Sequence, residues 1–292
     1  MNLGLDRLAR DISFKIEDEL QRSGIFFRIF ARAKSVESVE KKLVSKDYQN
    51  SSENKKMQDL IGIRITAYFV DDLPIVQEAI KKRFNCIDET IDEQSVNKFE
   101  PQRVNLIIKM TEADAKEAID LAISKYNYID TTYEVQLRTV LSEGWHEVEH
   151  DLRYKCKKDW VDYSDISHIF NGVYASLVTS DWTIMAIFEK LAYSHFKNNN
   201  WNAMLRNKFR LRFKEAELDY RVVEILDEDK ILSKELFKID RSLILNRIFI
   251  DGIRIPLTLT NLIHIINAYC LKDSRLISIA PDYIKNNKKL FK

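Results

Sequence analysis

Arg32, Lys34, Ser38 and Lys42 are the first residues whose types and spacing suggest chemistry. Side chains two apart share a face of a strand, and side chains four apart share a face of a helix. A strand ending at Lys34 and handing over to a helix at Ser38 would therefore turn all four toward one place. Arg grips two oxygens through its planar fork, whereas Lys acts as a point charge, so the set suits a polyphosphate. Ordinary surface charge has the same composition, and the cluster alone leaves both readings open.

Two further groups supply carboxylates. Asp59 and Arg64 bracket the apolar run LIGIRI, where an Asp also serves simply to cap backbone amides. In YEVQLRT, Glu134, Gln136 and Arg138 alternate with Val135 and Leu137, so the polar three point one way and the apolar pair the other. On neighbouring strands, Asp59 and Glu134 would offer the hard oxygen ligands that Mg²⁺ takes beside phosphates. A fourth group, His146-Glu147-x-x-His150, matches a zinc-protease pattern. That chemistry needs a third protein ligand, and His168, His195 and His264 are the downstream histidines. A polar helical face carrying Glu143, Glu147 and Tyr154 over a nucleotide pocket is the competing account.

The elements that must position these groups are legible from periodicity. Leu5, Leu8, Ile12, Ile16 and Leu20 repeat at helical spacing over 3–22, and Gly24 ends that helix. Residues 25–35 have strand composition, 36–44 suit a short helix, and 45–58 form a polar loop. Ile61, Ile63, Ile65 and Ala67 alternate as a strand. A helix follows over 71–84, a polar stretch with no assigned element, and a strand over 103–110. The next helix covers 111–126, with Thr111 as N-cap and Asp114 three residues on. A third strand spans 131–139 and a helix about 140–155. Residues 165–198 are apolar and helical, with Trp182 and the Ile and Leu of 161–192 read as core together with Trp145 and Trp201. The remainder is mostly helical, with a hairpin expected at Asp251–Gly252. The fold class is α+β: a mixed β-sheet flanked by helices, then a small, mainly helical C-terminal region.

Taken in order, ARAKSVESVEKKL, DLIGIRI and YEVQLRTVLSEGWHEVEHDLRYK resemble the synthetase domain of the RelA/SpoT alarmone enzymes, over roughly residues 28 to 195. The resemblance implies a nucleotidyltransferase-like domain that transfers pyrophosphate from ATP to the ribose 3′-hydroxyl of GDP or GTP. By it, Arg32, Lys34, Ser38 and Lys42 match the residues that bind the ATP phosphates. Asp59 matches the Mg²⁺-binding aspartate and Arg64 the arginine closing the same strand. Glu134 matches the second acidic residue, assigned to Mg²⁺ and to activation of the attacking hydroxyl. Gln136 and Arg138 complete that polar face, and His150, Tyr154 and Lys155 match the end of the signature. The family's Trp and Glu-His pair match Trp145 and Glu149–His150, which sets the zinc reading aside.

The acceptor side departs from the pattern. Where the family has a Tyr that stacks on guanine and a His near the phosphates, FEPQRVNLII places Pro101 and Asn105, with Arg103 between them and Phe99 two residues before the Tyr position. The helix over 111–126 also replaces a short hairpin. A catalytically weak regulatory relative, or transfer to another acceptor such as tRNA or an adenine nucleotide, is the alternative these departures raise. Glu134 as a base requires a raised pKa, because an ordinary Glu is too acidic.

The whole chain is compatible with that reading. It has 292 residues, 45% hydrophobic and 31% charged, with only 6 Gly and 4 Pro, which excludes disordered and collagen-like classes. Cys86, Cys156 and Cys270 form no paired motif, and the N-terminus lacks an apolar leader, so a reducing cytoplasm is expected. The longest uncharged run, 255–271, is too short and too polar for a membrane span. Residues 201–292 carry 18 basic and 12 acidic side chains. This bias permits RNA or ribosome contact, with 206–214 as the basic stretch, but a solvated surface explains it more simply. The expected partners are nucleotide substrates and, compatibly, further copies of the chain, with neither DNA nor membrane. The expected division is a synthetase-like domain over 1–198 and an accessory region over 199–292.

Overall fold

A computed structural model describes residues 3–45, 56–91, 104–121, 128–215 and 217–290. Its sheet has five strands: β1 (Phe27–Ala33), β2 (Ile61–Ala67), β3 (Cys86–Ile91), β4 (Val104–Lys109) and β5 (Thr132–Thr139). Their order is β1-β2-β5-β4-β3, with β2 and β5 parallel and every other pair antiparallel. The mixed sheet, its flanking helices and the mainly helical C-terminal region agree with the expected fold class.

Alternation decides which face is which. Ile61, Ile63, Ile65, Val135, Leu137, Leu106 and Ile108 are buried on one side. Gly62, Arg64, Glu134, Gln136 and Asn105 lie half-exposed on the other. The helix α1 (Leu3–Gln21) buries Leu5, Leu8, Ile12 and Ile16, and Leu5 packs with Val39, Leu43, Met57, Leu60 and Ile129. Each such fully buried aliphatic side chain contributes roughly 1.5–3 kcal/mol. Gly24 follows α1 at φ 73, a conformation that glycine adopts without strain. Val39 and Leu43 belong to α2 (Val36–Ser45), so the helix carrying Ser38 and Lys42 is anchored by its apolar face.

The helices α3 (Asp72–Arg83), α4 (Glu112–Leu121) and α5 (Val140–Val148) come next. Thr111 caps α4 as expected, accepting from the Asp114 amide at 3.3 Å, while residues 122–126 of the expected helix lie outside the described residues. At the β5–α5 junction, Thr139 and Ser142 exchange backbone-to-hydroxyl hydrogen bonds in a capping box. The Thr139 hydroxyl also donates to the buried Asp181 carboxylate at 2.7 Å. Asp181 lies in α6 (Ser164–Lys197) and ties that helix to the end of the strand carrying Glu134. Replacing Asp181 with Ala leaves a buried hydroxyl underpaired and is expected to destabilise the fold by about 1–3 kcal/mol in urea titration.

Two compact units emerge. One comprises Met1–Asp18, Phe27–Leu73 and Ile80–Asp181, including the whole sheet; the other comprises Glu19–Phe26, Pro74–Ala79 and Trp182–Lys292. The second holds α7 (Trp201–Phe209), α8 (Tyr220–Glu228), α9 (Lys230–Lys238), α10 (Arg241–Asp251), α11 (Leu259–Ile266), α12 (Ser274–Ser278) and α13 (Asp282–Lys285). Its core includes Trp201, Met204, Leu205, Phe209, Leu245 and Leu262.

Three expectations change. The hairpin at Asp251–Gly252 is instead the end of α10, where Gly252 takes the left-handed conformation and its amide bonds back to Ile248 and Phe249. The stretch before Val104 contains an unforeseen edge strand, β3, whose sequence CIDETI is too polar for an alternation signal. The apolar side chains of α6 are not uniformly core: Trp182 is 53% exposed, and Ile166, Ile169, Ile187 and Leu191 are exposed too. In 206–214, Lys208 lies over Phe237, Arg210 is buried and Arg212 lies over Phe26, so packing engages these cations. The three cysteines are free thiols. Among the described residues, no helix is long and apolar enough to cross a membrane.

Candidate active site

Strand register sets out the site in two rows. Arg32 on β1 lies opposite Gly62 on β2, which lies opposite Glu134 on β5. Two residues along, Phe30, Arg64, Gln136 and Asn105 stand side by side across β1, β2, β5 and β4. Gly62 presents no side chain, and a Cβ built there would meet nothing within 4 Å, so open space lies between Arg32 and Glu134. Lys34 follows β1, its amide donating to the Leu60 carbonyl at 2.9 Å, and α2 brings Ser38, Lys41 and Lys42 to the same place. These groups line one cavity of about 740 Å³, together with Asp59, Arg138, His146, Glu149, His150, Tyr154 and Lys155. Arg32, Lys34, Ser38, Lys42, Asp59, Arg64, Asn105, Glu134, Gln136, Arg138 and His150 are thus brought together, whereas Arg103, Pro101 and Phe99 lie outside the described residues.

The two carboxylates differ in environment. Asp59 Oδ2 accepts from Lys42 at 2.5 Å and lies 3.3 Å from Lys34. Burial works against its charge, but Lys34 and Lys42 outweigh that and hold its carboxyl below the ordinary range. Its Oδ1 is buried without a hydrogen-bond partner. Glu134 is pushed the other way, first by burial and then by the negative charge of Asp59, against weaker opposition from Gln136 and the two lysines. An unpaired buried oxygen on Asp59, beside a second carboxylate that feels its charge, fits a hard divalent cation such as Mg²⁺.

Gln136 links these groups to the cations. Its Nε2 donates to Glu134 at 3.0 Å, while its Oε1 accepts from Arg64 at 3.4 Å and Arg138 at 3.3 Å. Arg64 also donates to Glu143 at 2.6 Å and to Glu147. Glu147 therefore serves an ion pair with Arg64. His146 is buried edge-on to Trp145 and Tyr174 at ring separations of 5.3 and 5.4 Å. Among the described residues, no three His, Cys, Asp or Glu side chains gather into a metal-binding group. His168 is exposed, and His264 is buried in the second unit, where burial lowers its pKa to about 4. The H-E-x-x-H spacing thus does not assemble a zinc-protease site among these residues. Beyond α5 the backbone widens to a π-helical turn over Glu149–Tyr154, which stacks His150 on Tyr154 at 6.0 Å.

Residues 31–159, which contain the cavity-lining residues other than Phe30, match the model of the region found in RelA and SpoT proteins. They form a divergent RelA/SpoT-family domain. The GTP pyrophosphokinase YjbM of Bacillus subtilis (strain 168) is 27% identical over 107 residues, covering 35% of this chain and 45% of that protein. The GTP pyrophosphokinase YwaC of the same organism is 27% identical over 135 residues, covering 44% and 59%. The chain thus spans about half the length of the curated relatives it matches. Among solved structures, the small alarmone synthetase 1 from Bacillus subtilis bound to its product pppGpp has a TM-score of 0.49 and 21% identity, covering 65% of this chain and 95% of that one. The same protein in another crystal structure has a TM-score of 0.48 and 20% identity, with 63% and 92% covered.

Sequence reasoning about the RelA/SpoT-family domain missed Phe30, Gly62 and Lys41 as cavity-lining residues. For Phe30 a signal was present: two residues before Arg32 on a strand, it shares that residue's face.

Proposed function

We propose that this chain is a nucleotide pyrophosphokinase that transfers pyrophosphate from ATP to the 3′-hydroxyl of GDP or GTP. The observation that carries the reading is the convergence of Asp59 and Glu134 beside Arg32, Lys34 and Lys42 in one cavity. Arg32, Lys34 and Lys42 bind the triphosphate, with Lys34 and Lys42 turning from Asp59 to phosphate oxygens as it enters. Asp59 and Glu134 would hold Mg²⁺, which supplies charge neutralisation at the phosphates. Glu134, with its raised pKa, takes the proton of the incoming hydroxyl. The new bond joins that oxygen to the β-phosphorus, and the bond from the β-phosphorus to the oxygen retained by AMP breaks. Gln136 orients Glu134, and Arg64 is held by Glu143 and Glu147 at the same face. Positioning and electrostatics supply the acceleration.

Asn105 in place of the family's His favours a second reading: transfer to another acceptor, or nucleotide binding without turnover. Both are tested with β-labelled ATP and Mg²⁺ against GDP, GTP, GMP, ATP and bulk tRNA. Label is expected on GDP or GTP. Label only on tRNA or an adenine nucleotide would replace the acceptor. No transfer by a folded, ATP-binding protein would establish the regulatory reading.

A further inference from the structure

The polar face of the sheet carries one aromatic side chain among the described residues, Phe30. It stands on the edge strand β1 and is 53% exposed, although Ile29 and Ala31 on the opposite face are only half-exposed. An edge strand has a neighbour on one side only, and a large apolar ring left open to solvent there gains little from the fold. It nevertheless lines the cavity with Arg32, Arg64 and Gln136.

The position of the ring is informative. Phe30 lies two strand residues from Arg32, about 6.6 Å along β1. Asp59, Lys34 and Lys42 gather at the Arg32 end, while Glu143 and Glu147 pair with Arg64 in the next row. Phe30 occupies the next row, directly opposite Arg64. A nucleotide whose phosphates lie among Arg32, Lys34 and Lys42 must place its sugar and base further along the cavity. The row through Phe30, Arg64, Gln136 and Asn105 offers a π-face beside hydrogen-bonding side chains. Aromatic side chains bind bases by stacking on their faces, with little dependence on base identity.

We infer that Phe30 is a stacking platform for the purine base of the donor nucleotide, a binding residue that fixes the base while the basic cluster fixes the phosphates. The inference rests on the reading of Arg32, Lys34 and Lys42 as the donor-phosphate grip. It assigns Phe30 to the donor because the ring shares β1 with Arg32 and leads directly into α2, which brings Ser38 and Lys42.

The test compares the intact chain with Phe30→Ala and Phe30→Trp by calorimetric titration with Mg²⁺ and three probes: a non-hydrolysable ATP analogue, inorganic tripolyphosphate and GDP. In Phe30→Ala, affinity for the ATP analogue is expected to fall about tenfold, with tripolyphosphate and GDP within twofold of the parent. Phe30→Trp is expected to retain the affinity. It should also add a tryptophan emission component, relative to the parent, that the ATP analogue quenches and tripolyphosphate does not. An unchanged affinity of Phe30→Ala for the ATP analogue would overturn the stacking role and leave the proposed function standing. Equal losses for the analogue and tripolyphosphate would overturn it as well, by showing a structural effect on the phosphate grip. A loss confined to GDP would overturn the assignment to the donor. A parent chain that binds neither the analogue nor tripolyphosphate would overturn the donor-phosphate reading and the stacking role together.

Discussion

Glu134→Gln is expected to reduce pyrophosphate transfer by roughly a thousandfold while leaving the protein more heat-stable than the parent. The two effects have one cause. Burial and the charge of Asp59 raise the Glu134 pKa, so its ionised form is costly to the fold and, in the role proposed for it, a stronger base than an ordinary Glu. A group whose folded pKa is raised contributes stability that is fully present below its unfolded value and is lost as pH rises through the folded value. Near neutral pH the parent has lost that contribution, whereas Gln carries no charge at any pH. The Gln136 Nε2 donor still finds an amide oxygen in the variant. The melting temperature at neutral pH should therefore rise by roughly 1–3 °C, with the difference shrinking at acid pH. Scanning calorimetry of the metal-free proteins across pH and a transfer assay on the same preparations check both. A variant that loses activity and also melts earlier would point to structural damage in place of a lost base.

Asp59→Asn should behave in the opposite sense. Lys34 and Lys42 hold the Asp59 carboxyl below its ordinary range despite burial. Its contribution to stability is present above the unfolded value of 3.8 and is lost as pH falls through the lower folded value. At neutral pH the variant is expected to be destabilised by about 1–3 kcal/mol, because a charge-assisted hydrogen bond is removed and two neighbouring ammonium groups lose their shared counter-charge. That penalty should vanish in strong acid. Transfer should fall by roughly a hundredfold or more, since the cation site proposed at Asp59 would lose its unpaired oxygen. Binding of metal-free ATP should be retained or tightened, because the lysines no longer have a carboxylate to leave. Urea titrations at two pH values and calorimetry with and without Mg²⁺ separate these effects. Equal loss of ATP binding with and without metal would place Asp59 in the phosphate grip itself.

The opposite signs expected for these two carboxylates are not visible in their side chains, which differ by one methylene. They arise from what surrounds each one. Asp59 sits where β1 hands over to α2, so two lysines reach it. Glu134 points from the interior strand β5, between β2 and β4, where neighbouring backbone removes water from both sides. The Arg64 ion pairs with Glu143 and Glu147 likewise join residues 79 or more positions apart.

Local chemistry wrote much of this protein directly into its sequence. Alternation at Ile61, Ile63 and Ile65, and again at Val135 and Leu137, determined the strands and therefore which residues face the site, because side chains on a strand repeat every two residues. Helical spacing determined α1 and α2, and the Thr111 cap was legible because its partner lies three residues away. Tertiary structure decided what periodicity cannot encode. The apolar side chains of α6 could all be read as core, but which of them is covered depends on what lies against each face, and Trp182 is left in solvent. The polar strand β3 exists because β4 offers it an edge to pair with. Gly252 reads as a turn residue in either setting, and only the preceding helix α10 made it a C-cap in place of a hairpin. The parallel pairing of β2 with β5 set Gly62 opposite Glu134, and Glu134 acquired its raised pKa from burial and the Asp59 charge. Pairing, burial and electrostatic environment belong to the folded neighbourhood, and a side chain acquires them only when distant segments meet.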